Sequence, residues 1–108
     1  MESKLGKIKK ARFGAGGYQE AMIGITFDLE SDGWSVGDFW GYWSTERGPS
    51  TQWTEEQRQS SLGETVMRIN ALLNDAKKSS IDQLAGTPIR VFFDGMKLTR
   101  WEVLKEVL

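Results

Sequence analysis

The sequence predicts an α+β domain: an antiparallel β-sheet of about four to five strands, one long helix packed on one face and a short second helix. Three observations predict it. Apolar residues alternate at Ala21, Ile23, Ile25, Phe27 and Leu29, the two-residue period of a half-buried strand. Two Asp-Gly pairs, Asp32-Gly33 and Asp94-Gly95, each separate β-rich runs. Between them lies a stretch whose apolar residues recur at three and four, the helical period. The 108 residues suffice for one core and not for two, so the whole chain, 1–108, is expected to be a single domain.

Ile8, Ala11 and Phe13, set among Lys4, Lys7, Lys9, Lys10 and Arg12, predict a first strand over residues 6–13. The run Gly14-Ala15-Gly16-Gly17 connects it to the alternating strand, 21–29. Asp32-Gly33 is expected to form a two-residue hairpin loop of the primed type, with positive backbone φ, and residues 34–44 to return. Counting back from that loop sets Leu29 opposite Val36, Ile25 opposite Trp40 and Ile23 opposite Tyr42 on the core face. Met22, Thr26, Phe39 and Trp43 then share the other face, around Gly24 and Gly41, which fall opposite one another. Asp38 lands on the core side in this register, so a bulge near Gly37 is expected to turn it outward.

Residues 45–53, with Gly48-Pro49-Ser50, read as a loop, and Thr54-Glu55-Glu56-Gln57 has capping-box spacing. The helix that follows places Leu62, Val66, Ile69, Leu73 and Ala76, joined by Met67 and Leu72, on its apolar side. Arg58, Glu64, Arg68 and Asp75 fall opposite, and Lys77-Lys78 marks its end. Residues 81–85 predict a short helical turn ended by Gly86-Thr87-Pro88, residues 89–93 a strand, and 97–108 its return.

Composition narrows the function. The chain has no Cys and no His, which removes the thiolate nucleophile, the imidazole base, disulfides and the usual zinc and haem ligands. Neither an enzymatic activity nor a cofactor or metal is expected. Fourteen Lys and Arg against fifteen Asp and Glu argue against a protein that coats duplex nucleic acid through a cationic face. No apolar run is long enough to span a bilayer, and residues 1–10 lack the apolar core of a secretory signal, so a soluble cytoplasmic protein is expected. The segment Asp28 to Gly33 has the acid spacing of a calcium loop, but its twelfth position is Phe39, where a carboxylate is required. The glycine run after the first strand leads into a strand rather than a helix N-terminus and lacks the lysine and hydroxyl of a phosphate loop.

The aromatic residues carry more. Trp34, Phe39, Trp40, Tyr42, Trp43 and Trp53 lie within twenty positions of one another. One helix covers one face of a sheet, so the register leaves Phe39 and Trp43 on the bare side, as an oligomer seam or as a stacking platform for a nucleobase. Candidate phosphate-binding arginines are Arg12, Arg47, Arg90 and Arg100, the last beside Trp101. A hairpin turning at Asp94-Gly95 brings Arg90 and Arg100 near each other, which requires an anion or an acid close by.

The order of these features resembles the phage anti-Thoeris sponge proteins, which sequester cyclic ADP-ribose-type signals made by bacterial TIR enzymes. The resemblance lies in Lys7-Ile8-Lys9-Lys10-Ala11-Arg12-Phe13, in Ile23 to Phe27 followed by Gly33-Trp34-Ser35-Val36-Gly37 and Gly41-Tyr42, and in Leu84-Ala85-Gly86-Thr87-Pro88-Ile89-Arg90-Val91 with the closing hairpin. It implies a homo-oligomer, hexameric in the family, that binds glycocyclic ADP-ribose without cleaving it and in some members cyclic oligonucleotides at separate positions. Arg90 lies inside a matching motif; Arg100, Trp101, Phe39, Trp43, Arg12 and Arg47 come from the reading of the residues alone. Two other expectations stand beside it: a protein-binding inhibitor or adaptor acting through the aromatic seam, and a binder of single-stranded nucleic acid through Phe39, Trp43 and the basic first strand.

Overall fold

A computed structural model of the chain describes residues 2–16, 22–44 and 52–108, with the backbone alone for 42–44. The α+β architecture is as the sequence predicts. Strands β1 (Glu2–Gly16), β2 (Met22–Ser31) and β3 (Trp34–Ser44) precede the helix α1 (Glu55–Ala76). A 3₁₀ turn (Ile81–Gln83), β4 (Pro88–Asp94), β5 (Lys97–Val103) and a last 3₁₀ turn (Lys105–Val107) follow. All neighbours in the five-stranded sheet are antiparallel, in the order β3-β2-β1-β4-β5.

The first strand is longer than its alternation predicts because it serves two hairpins. Its first half pairs with β4, from Glu2 opposite Phe93 to Lys7 opposite Pro88. Its second half pairs with β2, from Lys7 opposite Glu30 to Gly16 opposite Met22, across a bulge between Ile8 and Lys10. The sheet curls strongly enough to bring its two edges together: Trp40 of β3 and Trp101 of β5 stack with centroids 5.6 Å apart and planes 19° from parallel. Helix α1 lies against both edge strands and closes the trough. Inside the curl, Ile8, Ile25, Phe27, Leu29, Ile89 and Val91 have no exposed surface. Each contributes about 1.5–3 kcal/mol relative to an exposed position.

The helix begins as the capping box requires, with Thr54 Oγ1 accepting from the Gln57 amide at 3.1 Å and Gln57 Oε1 accepting from the Thr54 amide at 2.8 Å. It ends at Lys77, which adopts the left-handed conformation (φ 58°) while its amide and that of Lys78 bond back to Asn74 and Leu73. Only its last turns press into the core. Leu72 and Ala76 are buried and Ile69 and Leu73 half-buried, whereas Val66 and Met67, expected on the apolar side, are 61% and 66% exposed. Arg68, expected on the polar side, instead lies over Trp40, its guanidinium carbon 4.0 Å from the ring centroid.

The β2–β3 register holds at Leu29/Val36 and Ile25/Trp40 and then departs from expectation, since Ile23 faces Trp43 rather than Tyr42. The extra residue is accommodated at Gly41, which has φ 68°, and not near Gly37, where pairing is continuous. Gly24 and Gly41, expected to pair, fall at this shift and are not paired in the ladder, yet they lie so close that a Cβ on Gly24 would sit 2.9 Å from the Gly41 carbonyl oxygen. The loop between the strands is Asp32-Gly33 as expected, but only Gly33 has positive φ (93°), so it is not the primed turn. Strand β5 stops at Val103, short of the expected 108, because Leu104 turns into the final 3₁₀ segment.

Candidate functional site

The expectation for Asp38 is overturned most clearly, because no bulge turns it out. It faces Phe27 across the sheet, on the inner side, where its carboxylate accepts from Trp101 Nε1 at 2.8 Å, Trp40 Nε1 at 3.2 Å and the Phe39 amide at 2.9 Å. A half-buried carboxylate is tolerable here because three donors meet it. One of them comes from the far edge of the sheet, so Asp38 joins β3 to β5. The Phe27 ring lies against both indoles, with centroids 4.6 Å from Trp40 and 5.0 Å from Trp101. Trp101 is therefore part of the closure of the curl, on the side opposite Arg100.

The outer face of β4 and β5, away from the helix, carries the arginines. Arg100 is paired with Phe92, and its guanidinium carbon stands 3.9 Å from the Phe92 ring centroid. Arg90 is paired with Glu102 in the next outward row. Glu102 also lies 3.4 Å from Arg100, the acid expected close to that arginine. A bulge at Thr99, whose hydroxyl donates to the Phe92 carbonyl at 3.0 Å, sets this register. On β1, Leu5 continues the Arg90 row and is 58% exposed. The platform is thus a ring capped by one guanidinium, with a second guanidinium in the adjoining row and the Glu102 carboxylate beside Arg100.

Arg12, Thr26 and Phe39 form another row on the same outer face, across β1, β2 and β3. Phe39 is 64% exposed. The Arg12 guanidinium turns back over Gly14 and donates to the Ala15 carbonyl at 3.1 and 3.2 Å. The structure therefore brings Arg90 and Arg100 together, sets Arg12 with Phe39, and separates Trp101 from both groups. The backbone register moves Trp43 into the row of Ile23; its side chain and the whole of Arg47 lie outside the described residues.

No family model, curated protein or solved structure matches this chain. Its chemistry must be read from its own residues. Among the described residues no three carboxylates are grouped to hold a metal ion, and no helix is long and apolar enough to cross a membrane. Sequence reasoning missed Asp38 and Arg68 as partners of the indoles and gave Phe92 too small a part. The signal for Phe92 was present: it shares the outward parity of Arg90 two residues before it. For Arg68 there was none, since its contact depends on how far the sheet curls.

Proposed function

We propose that this protein is a non-catalytic sponge, which captures a cyclic nucleotide signal of the glycocyclic ADP-ribose type and so inhibits host anti-phage immunity. The observation that carries the reading is the outer platform of Phe92, Arg100 and Arg90. An exposed guanidinium on a ring face offers both a stacking surface for a nucleobase and a fork for phosphate oxygens. The resemblance to the anti-Thoeris sponges supplies the ligand class. Capture works by mass action, so the protein must accumulate to the level of its signal and bind it well below the concentration that activates the effector. Assembly into a hexamer is part of this reading. Phe39, 64% exposed on the outer face, supports a seam where a second copy packs.

Calorimetry with glycocyclic ADP-ribose tests the capture. Arg90→Ala is expected to weaken binding by about 2–3 kcal/mol, as for a lost charged hydrogen bond, while light scattering shows unchanged assembly. Mass spectrometry of the small molecules released by heating loaded protein is expected to recover the ligand intact. Recovery of a cleaved product would make the protein an enzyme, and no heat of binding would overturn the reading. The second reading, an inhibitor that grips a host protein, is favoured by Val66 and Met67 standing exposed on α1. A monomer in solution that ignores nucleotides would select it.

A further inference from the structure

We propose a second binding site, on the inner face at the end of the sheet where the two hairpin loops meet, for a small planar aromatic molecule carrying one negative charge. This site does not depend on the outer platform or on the sponge reading. It starts with a packing requirement at Gly6. Strand β2 ends at Ser31, and the Trp34 ring fills the space beyond it, so close to β1 that a Cβ on Gly6 would lie 2.7 Å from the ring and 2.5 Å from the Glu30 carbonyl oxygen. The Trp34 ring reaches past β1 to meet Phe93 of β4 edge-on, with centroids 5.6 Å apart and an angle of 79°.

These two rings and Val36 line a cavity of about 270 Å³, rimmed by the Gly33 loop on one side and by Gly95 and Met96 on the other. A side chain at either glycine would meet nothing within 4 Å, so the mouth is open at both loops. Met96 is 99% exposed, an unbranched thioether with no packing of its own beside an aromatic pocket. Among the described residues the one charged group lining the cavity is Lys4, whose ammonium stands 5.7 Å from the Phe93 centroid. Its carboxylate partner is Glu2, at 3.8 Å, and both side chains are largely exposed.

The chemistry selects the ligand. Ring edges and faces favour a planar aromatic group over an aliphatic one of equal area. A lysine at the rim places the ligand's charge outside the rings, where an ammonium that gives up an exposed partner loses little. The volume lies just below the range of sites for drug-sized molecules, which limits the occupant to one or two fused rings and an acid group. Met96 then folds over the exposed ring.

Protein labelled with ¹³C at the methionine methyls tests the site, with indole-3-acetate as probe and uncharged indole-3-acetamide as its control. Met96 is one of four methionines, and its signal is assigned by Met96→Leu. Saturable movement of that signal is expected, with a Kd on the order of 1 mM for a ligand of this size. The Met22 and Met67 signals are expected to stay in place. Lys4→Gln, at an exposed position, is expected to weaken indole-3-acetate about fivefold, as for an exposed charge pair, and to leave indole-3-acetamide unchanged. Equal loss for both probes, non-saturating shifts, or parallel movement of Met22 and Met67 would overturn the proposal.

Discussion

Replacing Asp38 by asparagine tests whether the closure of the sheet rests on one carboxylate. In the wild type it accepts from two indole N–H groups, at 2.8 and 3.2 Å, and from the amide of Phe39. Asparagine is the same size but neutral, and its amide nitrogen is a donor: both indoles share one carboxylate oxygen, so with the amide oxygen kept there the nitrogen faces the Phe39 N–H, and the reverse orientation turns a donor on both indoles. A hydrogen bond to a charged group contributes about 1.5–3 kcal/mol, and an unsatisfied buried donor costs about 1–3. Asp38 is half-buried and Trp101 is half-buried, so water relieves part of that cost. The expected loss for Asp38→Asn is about 2 kcal/mol, which for a domain of this size lowers Tm by roughly 8–12 °C. Urea titrations followed by tryptophan fluorescence measure it. Trp101→Phe removes the donor from the far edge, and the double variant is expected to show a coupling of about 1–2 kcal/mol with Asp38→Asn. A loss below about 0.5 kcal/mol, or strict additivity of the two changes, would refute the view that this carboxylate holds β3 to β5.

Three further outcomes follow from the packing. Gly24→Ala forces a Cβ to 2.9–3.0 Å from backbone atoms of Trp40 and Gly41, and is expected to cost about 2–3 kcal/mol by thermal denaturation. Lys77→Gly relieves a left-handed residue at the helix C-terminus and is expected to stabilise by about 0.5–1 kcal/mol, read as a raised urea midpoint. Arg68→Ala uncovers the Trp40 face; it is expected to cost about 0.5–1 kcal/mol and to increase quenching of tryptophan emission by iodide.

The local elements were legible because each has a short-range cause. Alternation from Ile23 to Leu29, the capping box at Thr54 and the Asp32-Gly33 loop depend on residues within a few positions of each other; the second hairpin turns one residue later than expected, at Gly95-Met96, with Asp94 paired to Lys97. What was not legible is what depends on distance. The placement of β1 between the two hairpins joins Glu2 to Phe93, and no local signal encodes that pairing. The fate of Asp38 was misread for the same reason: read locally, a lone acid on a core face demands an escape, yet its donor on Trp101 lies 63 residues away. The outer face was read half correctly. Phe39 is there and Trp40 is inside, as the register requires, but Trp101 turns inward too, and the ring under Arg100 is Phe92 rather than Trp101. A glycine bulge four residues later than expected, at Gly41 rather than near Gly37, accounts for the shift of Trp43.

The double pairing of β1 also sets an order on synthesis. During translation the ribosome releases residues 2–7 first, and their partners at 88–93 only some eighty residues afterwards. Until then that half-strand travels as an unsatisfied edge while the other half zips onto β2. Such long-range closure is slow relative to helix formation. The nascent chain is therefore expected to remain protease-sensitive until β4 emerges, and a pause in elongation before residue 88 would prolong its exposure to aggregation.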